Sequence, residues 1–415
     1  MKYHIWTIGC QMNAAESARL AARFEELGYE AASAPGDADL VVLNSCVVRQ
    51  GAEDRVVNKL HAMRPLKKAR PAILLALTGC LVDSDTAGLR KKYPHVDHFF
   101  KAGESPPWLE TPAAASLPLL PSPSANVTIS QGCDNFCSYC IVPFRRGRER
   151  SRPPDVIVCE VRELVKRGAR EVVLLGQNVD SYGRDLPGSP DLAELLTGLN
   201  GIEGLARLRF LTNHPRDMSD QLIGAIARLD RVCEQVNLPV QAGSDAVLRA
   251  MKRGYTVEEY RRLVGRIRER VPGIAIGTDV ILGFPGETGE QFRGTLDLLS
   301  ELKFDTVHVA VYSPRPGTAA ARDLPDDVPA AEKKARLDAV ERLQEAIQAE
   351  INAGLLDGRV EVLVEGKKGG KWYGRTRTGK LVFFSSGRDR AGQLVDIKVT
   401  RTSPWSLQGK IEEGE

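Results

Sequence analysis

Short continuous apolar runs recur along most of this 415-residue chain, each followed by a stretch with apolar residues at helical spacing. Leu40-Val41-Val42-Leu43 is such a run. Runs of this kind suit strands covered on both faces, and parallel strands need a long crossover, usually a helix. In residues 1 to about 103, strands are expected over Tyr3–Ile8, Leu40–Asn44 and Ala72–Thr78. A helix is expected over Asn13–Leu27, stopped by Gly28, and a polar helix follows the second strand. That order predicts a small doubly wound sheet. From 127 to about 313, strands are expected at 127–130, 171–176, 207–212, 235–240, 274–282 and 306–312. Helices such as 155–168, 219–229, 258–271 and 289–302 lie between them. Six β/α units predict a parallel barrel, incomplete, with its chemistry at the carboxyl ends of the strands.

The chain is too long for one ordinary core, and two or three domains are expected. Residues 104–126 carry six prolines among Ser and Ala and predict an extended, fairly stiff linker. A charged amphipathic helix, roughly Pro329 to Ile351, is expected to lead away from the barrel. Residues 354–415 alternate short apolar strands with Gly-rich turns and predict a small all-β barrel. The fold class is therefore α/β: a small doubly wound N-terminal domain with linker (1–117), a partial β/α barrel (118–350) and a C-terminal small all-β barrel (351–415).

Hydrophobic residues make up 42% of the chain and charged residues 27%, ordinary for a soluble globular protein. No apolar run approaches a membrane span, and Met1-Lys2-Tyr3-His4-Ile5-Trp6 lacks the apolar core of a signal peptide. A cytoplasmic location without membrane contact is expected. In a reducing compartment the eight cysteines point to metal or catalytic use rather than disulfides.

Cys133, Cys137 and Cys140 are spaced C-x3-C-x2-C directly after the first expected barrel strand. Three thiolates this close can hold three irons of a four-iron cluster and leave the fourth open to a ligand. Cys10, Cys46 and Cys80 look unrelated by spacing, but each follows an expected parallel strand. Parallel strands place their carboxyl ends on one edge, so three loops there can bring three thiolates together. Gly9 and Gly79 allow the close backbone approach at the bends. This predicts a second three-cysteine cluster. Cys159 and Cys233 lack such a context and are expected in the core. The competing reading is structural zinc with a missing fourth ligand, or small buried thiols.

From Arg359 to Lys410 the chain holds 12 Lys or Arg and 4 Asp or Glu, a local charge of +8 against +3 for the whole. Trp372, Tyr373, Phe383, Phe384 and Trp405 are interleaved with these cations. A small basic barrel with aromatics suits RNA, because phosphates meet the cations and unstacked bases meet the rings. Lys371, Arg375 and Arg377 are the expected contacts there. Five arginines follow the cluster loop, and Arg145, Arg146 and Arg148 are expected to grip phosphates near the site.

C-x3-C-x2-C at the start of a β/α barrel, with Tyr139 before its last cysteine, resembles the radical S-adenosylmethionine (SAM) superfamily. The three-domain order over essentially the whole chain resembles the methylthiotransferase family within it, with a radical SAM core and a C-terminal TRAM domain. Thr7-Ile8-Gly9-Cys10-Gln11-Met12-Asn13 is similar to the class acting on isopentenylated adenosine in tRNA. Val142-Pro143-Phe144-Arg145-Arg146-Gly147-Arg148, Leu175-Gly176-Gln177-Asn178-Val179, Leu238-Pro239-Val240-Gln241 and Met251-Lys252-Arg253 are similar to the same class. Gln241-Ala242-Gly243-Ser244-Asp245 departs from the family's usual Gln-Ser-Gly-Ser-Asp, and Asn44-Ser45-Cys46 from Asn-Thr-Cys. Neither change removes a cysteine.

The resemblance implies two 4Fe-4S clusters and SAM as cofactors. On Cys133, Cys137 and Cys140, the open iron is implied to chelate SAM, which one electron then cleaves to a 5′-deoxyadenosyl radical. The second cluster is implied to carry sulfur, methylated by a first SAM. The product implied is a 2-methylthio group on dimethylallyladenosine next to the anticodon. Tyr139, Gly176, Gln177, Asn178, Gln241 and Ser244 are the expected SAM contacts. His214 is either an adenine contact or a structural histidine. The expected partners are a tRNA anticodon stem-loop and a flavodoxin- or ferredoxin-type electron donor, and a monomer is expected. The alternatives are the threonylcarbamoyladenosine class, the ribosomal-protein aspartate class, and a zinc-containing RNA-binding protein.

Overall fold

The computed structural model describes residues 1–48, 50–82, 86–106, 108–109, 116–118 and 121–412. Five parallel strands open the chain: β1 (Lys2–Thr7), β2 (Glu30–Ala31), β3 (Leu40–Ser45), β4 (Leu74–Gly79) and β5 (His98–Phe99). Their order is β2-β1-β3-β4-β5. The two short edge strands carry no apolar run and were not expected. Helix α1 (Gln11–Glu26) presents Leu20 and Phe24, four residues apart, to Tyr3, Leu40 and Val42. Helix α2 (Gln50–Ala69) presents Val56, Leu60 and Met63 to Val41, Leu43, Leu75 and Leu77. Successive strand residues point to opposite faces, so the two helices cover opposite sides and the sheet is doubly wound. A short helix, α3 (Thr86–Lys92), adds Leu89 to the α2 side.

The proline-rich connection is docked along its described part. Trp108 packs on His98 and Phe100, with ring centroids 4.7 and 5.9 Å apart. The carbonyls of Leu117 and Pro118 accept from Arg167 Nη1 at 2.7 and 3.2 Å. Residues 107, 110–115 and 119–120 of the expected linker lie outside the described residues.

The first barrel strand, β6 (Ser124–Thr128), begins inside that stretch, three residues earlier than the apolar pattern indicated. A two-residue antiparallel pair follows, β7 (Ser130–Gln131) with β8 (Arg150–Ser151). The other parallel strands are β9 (Glu171–Leu175), β10 (Arg207–Leu211), β11 (Gln235–Asn237), β12 (Ala275–Leu282) and β13 (Thr306–Val311). They form two three-stranded sheets, β10-β9-β6 and β11-β12-β13, joined by a parallel bridge between Leu208 and Val232. The helices between them are α4 (Val142–Arg146), α5 (Pro154–Lys166), α6 (Leu192–Asn200), α7 (Asp220–Arg228), α8 (Asp245–Ala250), α9 (Val257–Arg270), α10 (Gly289–Leu302) and α11 (Ala319–Asp323).

Alternation decides what fills the barrel. Val127, Val172, Leu174, Leu208, Phe210, Val236, Ile276 and Val280 face the helices in one large core. Their neighbours in sequence face inward: Asn126, Glu171, Arg207, Arg209, Gln235, Asn237 and Asp279. The interior is therefore polar rather than a packed apolar stack. Near its carboxyl end, Val173, Leu175 and Leu211 meet Met12 and Ala15 of α1, so the N-terminal domain covers part of the opening.

Helix α12 (Ala330–Ala353) does not leave the barrel, contrary to expectation; it packs on α10 and β13. The barrel is incompletely closed, so β13 is an edge that needs a cover. Arg336 Nη1 pairs with the buried Glu287 Oε2 at 2.5 Å, and Gln344 Nε2 donates to Phe304 O at 3.0 Å.

The last five strands are β14 (Arg359–Lys368), β15 (Lys371–Thr376), β16 (Leu381–Phe384), β17 (Leu394–Thr402) and β18 (Leu407–Ile411), closed in the order β14-β15-β16-β18-β17. Trp372 and Phe384 are core residues here, packed with Val362, Val382 and Ile397, and are not open to stack on bases. Tyr373 and Phe383 pair with each other at 6.3 Å, and Trp405 is exposed. The β15–β16 turn plugs the amino-terminal mouth of the large barrel. Arg207 Nη1 donates to Arg375 O at 2.7 Å, and Arg209 donates to Thr376 O and Arg377 O, both at 2.6 Å. Lys380 pairs with Asp305 at 2.7 Å.

Candidate metal centres

Register brings the first trio together. Ser45 lies opposite Gly79, so the next residues, Cys46 and Cys80, leave adjacent strands side by side. Cys10 leaves β1, which pairs with β3 through Thr7 and Asn44. A Cβ on Gly79, at φ +90°, would stand 2.3 Å from Ser45 O, and one on Gly9 would stand 2.8 Å from Cys46 Cβ. Only glycine permits these two approaches. Asn13 ties the loops: its Nδ2 donates to Asn44 Oδ1 (2.9 Å) and Ser45 O (3.0 Å), and its Oδ1 accepts from Cys10 N at 3.4 Å. The Gln-Met-Asn motif thus has a local cause, with Asn13 bracing the thiol loops and Met12 meeting the barrel. Cys46 and Cys80 are buried and Cys10 is exposed.

The second trio sits on a loop pinned at its base by the β7–β8 pair. Gly132, at φ +83°, would carry a Cβ only 2.1 Å from Arg148 O. Inside the loop, Asn135 N donates to Cys133 Sγ (3.4 Å) and Cys140 N to Cys137 O (3.1 Å). Ser138 fastens the loop to the barrel: its Oγ donates to Ala250 O (2.7 Å) and its carbonyl accepts from Ala320 N (2.7 Å). Arg253 is buried beneath it and donates to Cys137 Sγ at 3.3 Å. Tyr139 reaches the same guanidinium at 3.5 Å and stands edge-on to Phe284 at 6.5 Å.

Burial pushes the thiols of Cys46 and Cys133 up to about 11 and that of Cys140 up to about 12. Burial also raises Cys80, against the neighbouring Arg146. These pockets favour neutral thiols until a bound cation supplies charge, and metal coordination deprotonates a thiol outright. Among the described residues, no three His, Cys, Asp or Glu side chains converge on a point for one ion. A four-iron cluster asks something else, since each thiolate takes a separate iron.

Four other loops at the carboxyl ends hold buried polar atoms without partners: Ser130 Oγ, Asn178 Oδ1, Asn213 Oδ1 and Gln241 Oε1. Such orphans are costly unless a ligand or water meets them, which suits a polar cofactor in the mouth. A Cβ on Gly176 would stand 2.4 Å from Ser130 Oγ, so that glycine keeps the space open. Gln241 is held at φ +73°, and the Ser244 hydroxyl makes no bond to the α8 N-terminus it precedes. Gln177 has a different occupation: its Oε1 accepts from Gly132 N at 2.5 Å and braces the cluster loop.

Sequence reasoning missed a neighbouring network. Asp217 accepts from Asn178 Nδ2 (2.8 Å), Arg184 Nη2 (3.0 Å) and Asn135 Nδ2 (3.5 Å). Asp180 accepts from Asn213 Nδ2 (2.5 Å) and His214 N (2.9 Å), and burial raises its carboxyl to about 7. His214 is buried against Tyr255, its Nδ1 accepts from Arg216 N at 3.3 Å, and burial pushes it down to about 3. The only sequence signal for this network was its place after strands β9 and β10.

The expected RNA contacts divide. Arg148 is exposed and pairs with Asp134 at 2.6 Å. Arg145 is half-buried beside it. Arg146 is buried on Glu16 (2.7 Å) and Cys80 Sγ (3.3 Å), so it faces away from any phosphate. Arg377 is taken up at the domain junction by Glu234, at 2.7 and 2.8 Å, and Arg375 pairs with Glu365 at 3.3 Å. Lys371 lies on a groove with Phe383, Arg388 and Lys410. Cys159, expected in the core, is exposed on α5, while Cys233 is buried as expected.

The Radical SAM superfamily pattern matches residues 127–299, the Uncharacterized protein family UPF0004 residues 2–101, and the TRAM domain residues 358–411. The chain is 56% identical to tRNA-2-methylthio-N(6)-dimethylallyladenosine synthase of Dehalococcoides mccartyi over 99% of its own length and 98% of the relative's. It is 49% identical to the protein so named from Roseiflexus, covering 100% and 90%, and 43% identical to that from Moorella thermoacetica, covering 99% and 98%. Among solved structures it resembles the radical S-adenosylmethionine methyltransferase TsrM of Kitasatospora setae, with TM-score 0.53 at 15% identity over 77% and 75% of the two chains. That likeness is one of fold. With near-complete coverage at these identities, the chain belongs to the tRNA-2-methylthio-N(6)-dimethylallyladenosine synthase family of radical SAM enzymes.

Proposed function

We propose that this chain replaces the C2 hydrogen of N6-dimethylallyladenosine in tRNA, next to the anticodon, by a methylthio group. The observation that carries the reading is that the segment following one cysteine trio reaches the other across the domain boundary, with Arg146, six residues beyond Cys140, touching Cys80. Cys133, Cys137 and Cys140 are assigned to one four-iron cluster, and Cys10, Cys46 and Cys80 to the other. When bound, the clusters and SAM supply the one-electron chemistry, the sulfur and the methyl group.

The chain's own residues orient and exclude. Gln177, Ser138 and Arg253 fix the cysteine loop. Tyr139, Gly176, Asn178, Gln241 and Ser244 are assigned to the SAM side of the mouth, where partnerless buried acceptors call for donors such as a ribose hydroxyl or an ammonium. Met12 and Ala15 wall off the apolar upper rim from water. RNA is assigned to Arg145 and Arg148 at the mouth and to the groove of Lys371, Phe383, Arg388 and Lys410. Arg146 and Arg377 are withdrawn from that role by their internal ion pairs. A flavodoxin- or ferredoxin-type donor, a cytoplasmic setting and a monomeric state complete the proposal. No described helix is long and apolar enough to cross a membrane.

Two measurements test it. Anaerobically prepared chain should be brown with about eight irons, and Cys10→Ala/Cys46→Ala/Cys80→Ala should halve that. Nucleoside mass spectrometry of tRNA from a deletion strain should lack the methylthio group on isopentenyl adenosine. A normal level there, or a colourless zinc protein, rejects the proposal. Loss from threonylcarbamoyladenosine instead would reassign the class.

A further inference from the structure

The arginine run after the cluster loop has the composition of a phosphate grip, yet one of its members points into the protein. Arg146 ends α4, six residues beyond Cys140, and its side chain is 3% exposed. Its Nη1 donates to Glu16 Oε1 of α1 at 2.7 Å and its Nε to Cys80 Sγ at 3.3 Å. Its Nη2 is buried without a partner. Ile141, at the start of the same helix, packs in the N-terminal core with Cys80 and Val82. The loop that carries one cysteine trio therefore completes the surroundings of the other.

We propose that Arg146 is a positioning residue of the Cys10/Cys46/Cys80 centre, and that its free Nη2 holds an anionic sulfur ligand there, a hydrosulfide or an alkylthiolate. The inference rests on the reading of that trio as a cluster site. Three facts carry it. A guanidinium is charged at all relevant pH and presents its donors in a fixed fork. Two of its nitrogens are already held by Glu16 and Cys80, so the third has a fixed aim. A buried donor with no acceptor is costly, and an anion beside Cys80 removes that cost. Hydrogen bonds to cluster sulfurs also raise the reduction potential by stabilising the more negative reduced state.

The test uses the full chain with Cys133, Cys137 and Cys140 changed to Ala, which leaves one cluster to observe. Sodium sulfide and methanethiol are titrated anaerobically, and the electron paramagnetic resonance signal and midpoint potential are read. Arg146→Gln should weaken sulfide binding about tenfold, equivalent to about 1.4 kcal/mol, and lower the potential. Glu16→Gln breaks the same ion pair but keeps the donor, so sulfide affinity should stay. Equal losses in both variants would make Arg146 a structural tie and overturn the proposal, as would unchanged affinity and potential in Arg146→Gln. If Arg146→Gln does not fold, Arg146→Lys replaces it: a compact ammonium cannot reach the three separate positions that the planar guanidinium fork occupies, so the affinity loss should persist and its absence overturns the proposal. Failure of the parent three-Ala chain to bind iron would sink the cluster reading itself, and this inference with it.

Discussion

Arg209→Met should weaken the seating of the C-terminal barrel in the large one by about 3–5 kcal/mol, the cost of stripping one partner from a buried ion pair. Arg209 is buried on β10 and spends its guanidinium on four acceptors. Glu171 Oε2 stands 2.8 Å from it, Gln235 Oε1 is bonded to it, and the carbonyls of Thr376 and Arg377 stand at 2.6 Å. Methionine fills similar volume, so the cavity term is small and the loss is electrostatic. Glu171 keeps only Ser124 Oγ, at 2.8 Å, as a side-chain donor. Adding Glu171→Gln removes the stranded charge but leaves the two carbonyls, so the double variant should still be down by about 1–3 kcal/mol. The assay is urea unfolding of the metal-free chain, with trypsin release of the 354–415 fragment as a second probe. A loss below about 1 kcal/mol in Arg209→Met, with the fragment no more accessible, would refute the plug.

Gly79→Ala forces a Cβ to 2.3 Å from Ser45 O at φ +90° and should cut iron bound by the Cys133/Cys137/Cys140-to-Ala chain, measured by metal analysis. Asp180 adds a pH term: its folded value near 7 exceeds the unfolded 3.8, so stability is full below about pH 4 and falls as pH rises to 7. Asp180→Asn should remove that slope in metal-free chain, and an unchanged slope would count against the burial argument. Arg388→Ala and Lys410→Ala should each weaken tRNA binding and flatten its salt slope by about 1, while Arg377→Ala should lower stability and leave the slope alone.

Much of the fold was legible because its signals are local. Apolar runs marked β3, β4 and β12 on their own, and helical spacing placed α10 at Gly289–Leu302. The short strands β2 and β5 were not legible, since two residues carry no period. The C-x3-C-x2-C trio was plain from spacing. Cys10, Cys46 and Cys80 became a group only through the rule that parallel strands share an edge; the register of Ser45 with Gly79 places Cys46 and Cys80 side by side on that edge. Charge composition misled at Arg146 and Arg377, because a count of cations does not say which ones find carboxylates across the fold. Aromatic composition misled likewise at Trp372 and Phe384, whose alternation in β15 and β16 turns them inward.

The sequence by itself determined the longer strands and helices, the C-x3-C-x2-C trio, the place of Cys10, Cys46 and Cys80 after strands, and the basic character of the last domain. These follow from periodicity, loop position and charge, which neighbouring residues set. Tertiary structure alone decided that Met12 meets the barrel wall, that Arg209 anchors the β15–β16 turn, and that Arg146 is buried against Glu16 and Cys80. Each joins residues more than sixty positions apart, and such pairs are fixed by how domains pack and by the cost of leaving buried charges and donors without partners.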